Sequence, residues 1–214
     1  MLHIESLVFN SFQVNTYLVR DTNGDCMVVD PAFYSPDEVH SFDTYISSKG
    51  LNVIGQINTH CHVDHVLGMR HMKTAYACPL RAHPEESGLL NNAPLMGEVF
   101  GLKLEALSGI DKPIADNEVI EIGNDSLLAI LVPGHSPGSL SFYSSTGGFV
   151  ITGDALFQGS IGRTDLPGGD YDTLIDSIRK RLLTLPPETI VYPGHGDSSS
   201  VGDEISNNPF LTMA

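Results

Sequence analysis

A chain of 214 residues with 41% hydrophobic and only 17% charged positions can build one sizeable core, which excludes a disordered protein. A formal net charge of −15, with eleven scattered Lys and Arg and no basic run, argues against nucleic acid or an anionic membrane as partner and leaves a small-molecule substrate. Three cysteines (Cys26, Cys61, Cys78) without a C-x-x-C pair fit a reducing cytoplasm, no apolar run has the length of a membrane span, and MLHIESLVFNSF shows neither a basic n-region nor a cleavage pattern.

In chain order, three strands are expected first, at Leu2–Phe9, Thr16–Arg20 and Cys26–Val29, the last closed by Asp30-Pro31. A helix follows, with Ser35 as N-cap, Pro36 in the first turn, Glu38 completing a capping box, Val39, Phe42 and Ile46 at helical spacing, and Gly50 as the stop. A strand at Val53–Asn58 leads into a second helix from about His65, with Met69, Met72 and Tyr76 on its packed face. A short helical piece at Pro84–Leu90 runs into NNAPLMGEVFGLKLEALSGIDKP, which reads as irregular, and residues 84–118 as a whole are expected to form part of a substrate rim. Strands are then expected at Glu118–Ile122, Leu127–Val132, Leu140–Tyr143 and Phe149–Thr152, a helix at Tyr171–Leu185 and a strand at Thr189–Tyr192. No repeat or linker divides the chain, so residues 1–214 are expected to form a single domain; oligomeric state cannot be read.

Four of the apolar runs end in a potential metal ligand. VIGQIN runs into His60, LLAILV into Pro133-Gly134-His135, FVIT into Gly153-Asp154, and TIVY into Pro193-Gly194-His195. Ligands gather at the C-terminal rim of strands in α/β proteins, and glycine lets the chain turn closely there. In the stretch THCHVDH, extended backbone sends His60 and His62 to one side and Cys61 to the other, where it is expected to pack as a small core residue. Asp64 and His65, two and three residues later, can address a second nearby point, and Asp64 at a helix N-terminus suits the dipole. His60, His62, Asp64, His65, His135, Asp154 and His195 exceed the need of one ion and suit two if a carboxylate bridges and water fills the rest. Imidazoles mixed with carboxylates suit two divalent metal ions of the Zn, Fe or Mn kind and do not choose among them. His3, His40, His71 and His83 lack such a setting and are expected to be surface or satisfied residues.

Thr59-His60-Cys61-His62-Val63-Asp64-His65-Val66-Leu67-Gly68 resembles the THxHxDHxxG motif of the metallo-β-lactamase superfamily, and Pro133–Ser139, Gly153-Asp154 and Pro193–Gly196 are similar to its later motifs in the same order. The resemblance implies an α/β (α+β) fold, a four-layer αββα sandwich with the metals at one edge between the sheets. It implies that His60, His62 and His135 hold one metal, that Asp64, His65 and His195 hold the other, and that Asp154 bridges. Within the superfamily, GDALFQGSIGRTDLPGGDYDTL (Gly153–Leu174) and NNPFL (Asn207–Leu211) look like the short bacterial glyoxalase II, or hydroxyacylglutathione hydrolase, group. That likeness implies a hydrolase of a thioester such as S-lactoylglutathione, in which a metal-bridging hydroxide attacks the carbonyl, Asp64 and Asp154 are catalytic, and Arg163 is a carboxylate fork for glutathione. The C-terminal helical domain of full-length glyoxalase II is not expected. The alternative is a mononuclear-iron persulfide dioxygenase on the same fold, sharing the GRTD stretch Gly162–Asp165, with a superfamily phosphodiesterase or nuclease behind it. A β-lactamase is disfavoured, since di-zinc members commonly carry Cys at the position of Asp154.

Overall fold

Strand alternation produces two sheets, each apolar on both faces. In β2 (Val14–Arg20) Tyr17 and Val19 point one way and Val14 and Leu18 the other, and all four are buried. The same division runs through β3 (Asp25–Val29), with Met27 and Val29 against Cys26 and Val28. A sheet buried on both faces must be covered on both, and this dictates four layers. The structure, a computed structural model, describes residues 1–106 and 109–212.

The first sheet has the order β1-β2-β3-β4, from β1 (His3–Phe9) to β4 (Asn52–Ile57), antiparallel except for the parallel β3–β4 pair. The second contains β5 (Val119–Ile122), β6 (Asp125–Leu131), β7 (Leu140–Ser144), β8 (Phe149–Gly153), β11 (Ile190–Pro193) and β12 (Ser199–Ser200) in the order β12-β11-β8-β7-β6-β5. Here only β8–β11 is parallel, and a small hairpin of β9 (Leu156–Phe157) and β10 (Ser160–Ile161) stands apart. Between the sheets lie Tyr17, Val19, Met27 and Ile57 from one and Leu127, Leu140, Phe142 and Ile151 from the other.

On the outer face of the first sheet, Phe42 and Ile46 of α1 (Pro36–Lys49) and Met72 of α2 (Met69–Ala75) pack with Leu18, Val28 and Phe33. On the outer face of the second, Leu174 of α4 (Tyr171–Ser177) and Ile178 and Leu182 of the π-helical turn that continues it pack with Ile130, Val150 and Val191. Val201 of α5 (Val201–Asn207) and Leu211 of α6 (Pro209–Thr212) complete that layer, and Asn208 between them donates to the Ser160 carbonyl at 3.0 Å. The fold is therefore the αββα sandwich. Among the described residues no helix is long and apolar enough to cross a membrane.

Helix α1 has the expected capping box, Ser35 accepting from the Glu38 backbone, and ends at Gly50 with φ 62°. Two helices differ from expectation. The second starts at Met69 rather than His65, because Val63–His65 forms a 3-10 turn that holds its own backbone (His65 N–H to His62 O, 3.1 Å). The segment read as irregular after Leu90 is helical as far as Val99, where it completes α3 (Ser87–Val99) with Pro94 inside it; the described residues from 100 to 113 are irregular as expected. Proline in a helix interior costs about 3 kcal/mol. The cost is met by tertiary packing, since Leu90 and Ala93 join a cluster with Cys61, Val66, Met69 and Leu80. Positions 107–108 of that stretch lie outside the described residues.

Candidate metal centre

Four of the candidate ligands sit past strand ends, on one edge of the sandwich, and His62, Asp64 and His65 lie in the turn that follows the first. His60 follows β4, His135 follows β6, Asp154 follows β8 and His195 follows β11. The first two strands of that set come from different sheets, so the cluster spans the seam between them. Two glycines make the approach possible. Gly134 has φ 124°, and a Cβ there would run into the backbone of Leu174; a Cβ on Gly194 would collide with the Asp154 carboxylate. The seam is sewn by the start of β2: Asn15 N–H donates to Gly194 O at 2.8 Å, the Asn15 amide to Pro193 O and Gly196 O at 3.0 and 2.9 Å, and Tyr17 OH to Pro193 O at 2.6 Å.

All seven candidates come together, in two groups. His135 Nε2 lies 3.3 Å from His60 Nε2 and 2.9 Å from His62 Nδ1. His65 Nε2 lies 3.3 Å from His195 Nε2, and Asp64 Oδ2 lies 3.4 Å from His195 Nε2. Asp154 stands between them, with Oδ2 at 3.7 Å from His135 Nε2 and 3.5 Å from His195 Nε2, and Oδ1 at 3.4 Å from His65 Nε2. Nitrogens at about 2.0–2.1 Å from a tetrahedral ion are about 3.3 Å apart, close to the 2.9–3.4 Å separations within the two groups. Asp154 Oδ1 is buried without a hydrogen-bond partner, as is His62 Nε2. A buried carboxylate oxygen with no donor is costly unless a cation satisfies it. The donor set therefore fits a pair of divalent ions.

The outer nitrogens fix how the rings point. His135 Nδ1 faces Arg163 O at 2.8 Å and His195 Nδ1 faces Phe12 O at 2.9 Å; a carbonyl only accepts, so both Nδ1 atoms carry the proton. His65 Nδ1 faces Asp30 Oδ2 at 3.0 Å. Thr59 Oγ1 donates to Asp30 Oδ2 at 2.6 Å and so accepts from His60 Nδ1 at 3.0 Å. Four Nε2 atoms are thereby aimed inward, an arrangement that orients metal-ligating imidazoles.

The two groups differ in charge. Burial holds His60 well below the usual histidine range, pushes His62 down to about 4 and lowers His135, so this half is three neutral imidazoles. Burial opposes the charged forms of His65 and His195 too, but Asp154 and Asp64 more than offset it, raising His65 well above its ordinary value and His195 to about 9. Burial works against the Asp154 and Asp64 carboxylates, yet the neighbouring His65 keeps Asp154 far below the usual range and Asp64 below it.

Two further residues organise the site, and sequence reading missed both as functional. Asp30, buried with φ 50° at the end of β3, accepts from Thr59 N–H at 2.7 Å as well as from Thr59 and His65 side chains. The strand-closing Asp-Pro was its only signal. Glu86, fully buried before α3, accepts from Cys61 N–H, Ser136 OH and Gly138 N–H, each at 2.7 Å. It ties the His60–His62 loop to the His135 loop, and a lone Glu in a polar stretch carries no such mark in sequence. Cys61 packs in the apolar cluster with Val66 and Met69, its thiol pushed up by burial. Of the other histidines, His71 pairs with Asp43 at 2.9 Å and His83 caps the turn at Pro84.

A cavity of about 330 Å³ opens onto the candidate ligands, lined also by Phe12, Val63, Met96, Phe100, Leu166 and Arg163. Met96 and Phe100 belong to the segment expected to form the substrate rim. The Arg163 guanidinium is exposed and forked on Asp165 at 2.8 Å through both Nε and Nη2.

A sandwich with this ligand constellation at its edge defines a class, that of metal-dependent hydrolases, and the family model for the metallo-beta-lactamase superfamily matches residues 10–195. The chain belongs to that superfamily. It is 38% identical to the probable metallo-hydrolase YqgX of Bacillus subtilis over 201 residues, covering 93% of this chain and 92% of the relative. It is 32% identical to the hydroxyacylglutathione hydrolase GloC of Haemophilus influenzae, covering 98% of each. Among solved structures it resembles the BLEG-1 B3 metallo-beta-lactamase (TM-score 0.90, 30% identity, covering 98% of this chain and 100% of that one). It also resembles TTHA1623 in a di-iron-bound form (TM-score 0.86, 35% identity, 97% and 100% covered).

Proposed function

We propose that the protein hydrolyses a thioester of glutathione, S-lactoylglutathione being the test substrate. The observation that carries this is the juxtaposition of the seven-ligand cluster with a cavity whose edge holds Arg163, supported by the relative GloC, which matches end to end and is named for that activity. In this reading His60, His62 and His135 would hold one divalent ion, Asp64, His65 and His195 the other, and Asp154 would serve both; zinc is the expected metal, with iron or manganese the alternatives. Two such ions supply Lewis acidity toward a carbonyl oxygen and a hydroxide nucleophile at neutral pH.

The chain's own groups do the rest. Asp64 accepts the hydrogen of the attacking water and so orients its lone pair toward the carbonyl. Asp154 balances the charge between the two groups. Arg163, exchanging its exposed Asp165 partner for a substrate carboxylate, anchors the thiol portion, since an exposed ion pair is worth about 0–1 kcal/mol and is readily surrendered. The apolar walls keep bulk water from the reacting carbonyl. A thiolate leaves without a strong general acid. The chain would work as one domain in a reducing cytoplasm, consistent with three free, buried cysteines.

The test is metal analysis of the purified protein with a panel of thioester, persulfide, phosphodiester and β-lactam substrates. Two ions per chain with thioester hydrolysis, both lost in His62→Ala and Asp154→Ala, is the expected result. One iron with oxygen uptake on glutathione persulfide would replace this reading with the dioxygenase.

A further inference from the structure

The cavity over the ligand cluster is polarised. Its one end is marked by Arg163, whose carbonyl accepts from His135, and by Leu166 three residues on. Among the described residues lining the cavity, Arg163 is the single Lys or Arg. The opposite end is marked by Phe12, whose carbonyl accepts from His195, and by Phe100, which meets Phe12 edge to face at 5.2 Å between ring centres. Met96, on α3 one turn before Phe100, lines the same cavity. Met96 is 41% and Phe100 51% exposed although both are large and apolar, so they face the cavity mouth without being consumed by the core.

We infer that this Phe12–Met96–Phe100 wall is the acyl pocket, and that the enzyme's preferred thioesters carry an apolar acyl chain rather than a small hydroxylated one. The inference rests on the glutathione-thioester reading for its direction. With a carboxylate of the thiol portion at Arg163, the sulfur and carbonyl lie over the ligand cluster. The substituent beyond the carbonyl then extends to the His195 end, where the three side chains offer two aromatic edges and a thioether. None of the three can donate a hydrogen bond to a lactoyl hydroxyl. Methionine adapts its shape to chains of different length, and an aromatic pair gives a flat surface for methylenes to cover.

The experiment has two arms. In the metal-loaded protein, kcat/KM is measured for S-lactoyl-, S-propionyl-, S-butyryl- and S-hexanoylglutathione. In the same metal-loaded protein, calorimetry follows binding of S-methyl-, S-butyl- and S-hexylglutathione, which have no bond to cleave. Burial of each added methylene is worth roughly threefold to fourfold. Hexanoyl should therefore exceed propionyl, and S-hexyl exceed S-methyl, by at least about tenfold once incomplete burial is allowed for. Phe100→Ser and Met96→Ser, at exposed positions where folding is not threatened, should flatten both ladders. Val99→Ser, on the same helix but outside the cavity, should leave them intact. Thioester hydrolysis with a flat ladder in the wild type, or a steep ladder that survives the Met96→Ser/Phe100→Ser double variant, overturns the inference while the reaction stands. No hydrolysis of any thioester together with a steep thioether ladder removes the proposed reaction and upholds the apolar wall.

Discussion

Replacing Glu86 by alanine should loosen the three-histidine half of the centre without touching a ligand. The Glu86 carboxylate receives three hydrogen bonds, from Cys61 N–H between His60 and His62, and from Ser136 OH and Gly138 N–H just after His135. Removing it strands those donors in a buried space. Ser136 can turn to Ser139 Oγ, 2.6 Å away, which leaves two backbone N–H groups unsatisfied. At about 1–3 kcal/mol each, with entering water pulling toward the low end, the loss is about 2–4 kcal/mol. Glu86→Gln keeps one oxygen but turns an NH₂ toward a donor on the other side, so it should cost about 1–3 kcal/mol and not rescue fully. Urea denaturation of the metal-free proteins measures the stability term. Metal content after dialysis against a weak chelator measures the positional one, and half of the bound metal should be lost before the other half. A Glu86→Ala protein within 0.5 kcal/mol of wild type, or one that sheds both ions together, would refute the claim that Glu86 holds the two loops in register.

Other outcomes follow from the same coordinates. Gly134→Ala, which forces a side chain into φ 124° against the Leu174 backbone, should cost about 2–5 kcal/mol and displace His135, seen as lowered Tm and reduced metal retention. The metal-free protein should be most stable near pH 6.5. His65 and His195 are raised in the folded state, so their stabilisation is complete below the unfolded value near 6.5 and is lost as pH rises through about 9 for His195. His60, His62 and His135 are lowered, so stability also falls as pH drops from about 6.5 toward about 4 for His62. A flat Tm–pH curve between those limits would contradict the assigned charges. Cys61→Ala should keep both metals and lose only about 1 kcal/mol of core packing; loss of metal would show the thiol to be a ligand.

What sequence alone made legible was set by locality. Strand alternation and the capping box of Ser35 and Glu38 are read within a few residues, and they placed the strands to within one or two positions. Four of the candidate ligands stood out because each follows the end of an apolar run, and His62, Asp64 and His65 because they crowd behind the first of them. Pro94 sits in the half of α3 that the sequence did not show, since propensity forbids what the packing of Leu90 and Ala93 permits. The short strands Leu156–Phe157 and Ser160–Ile161 are too brief to show a period. Asp30 and Glu86 act on partners 29 and 50 residues away, a relation that only the folded chain contains. Arg163 was expected as a substrate fork and stands at the cavity edge, yet its guanidinium is engaged by Asp165.

The seam between the two sheets gives the centre a second meaning. His60, His62, Asp64 and His65 come from the half of the chain that builds the first sheet, and His135, Asp154 and His195 from the half that builds the second. Each proposed ion would thus draw ligands from both, the first closing a loop of some seventy residues between His62 and His135 in the manner of a removable cross-link. Whatever binds there favours the docked halves over the separated ones, by an amount that grows with free-ion concentration. The cell's supply of metal would then set how firmly this protein is assembled as well as whether it can act.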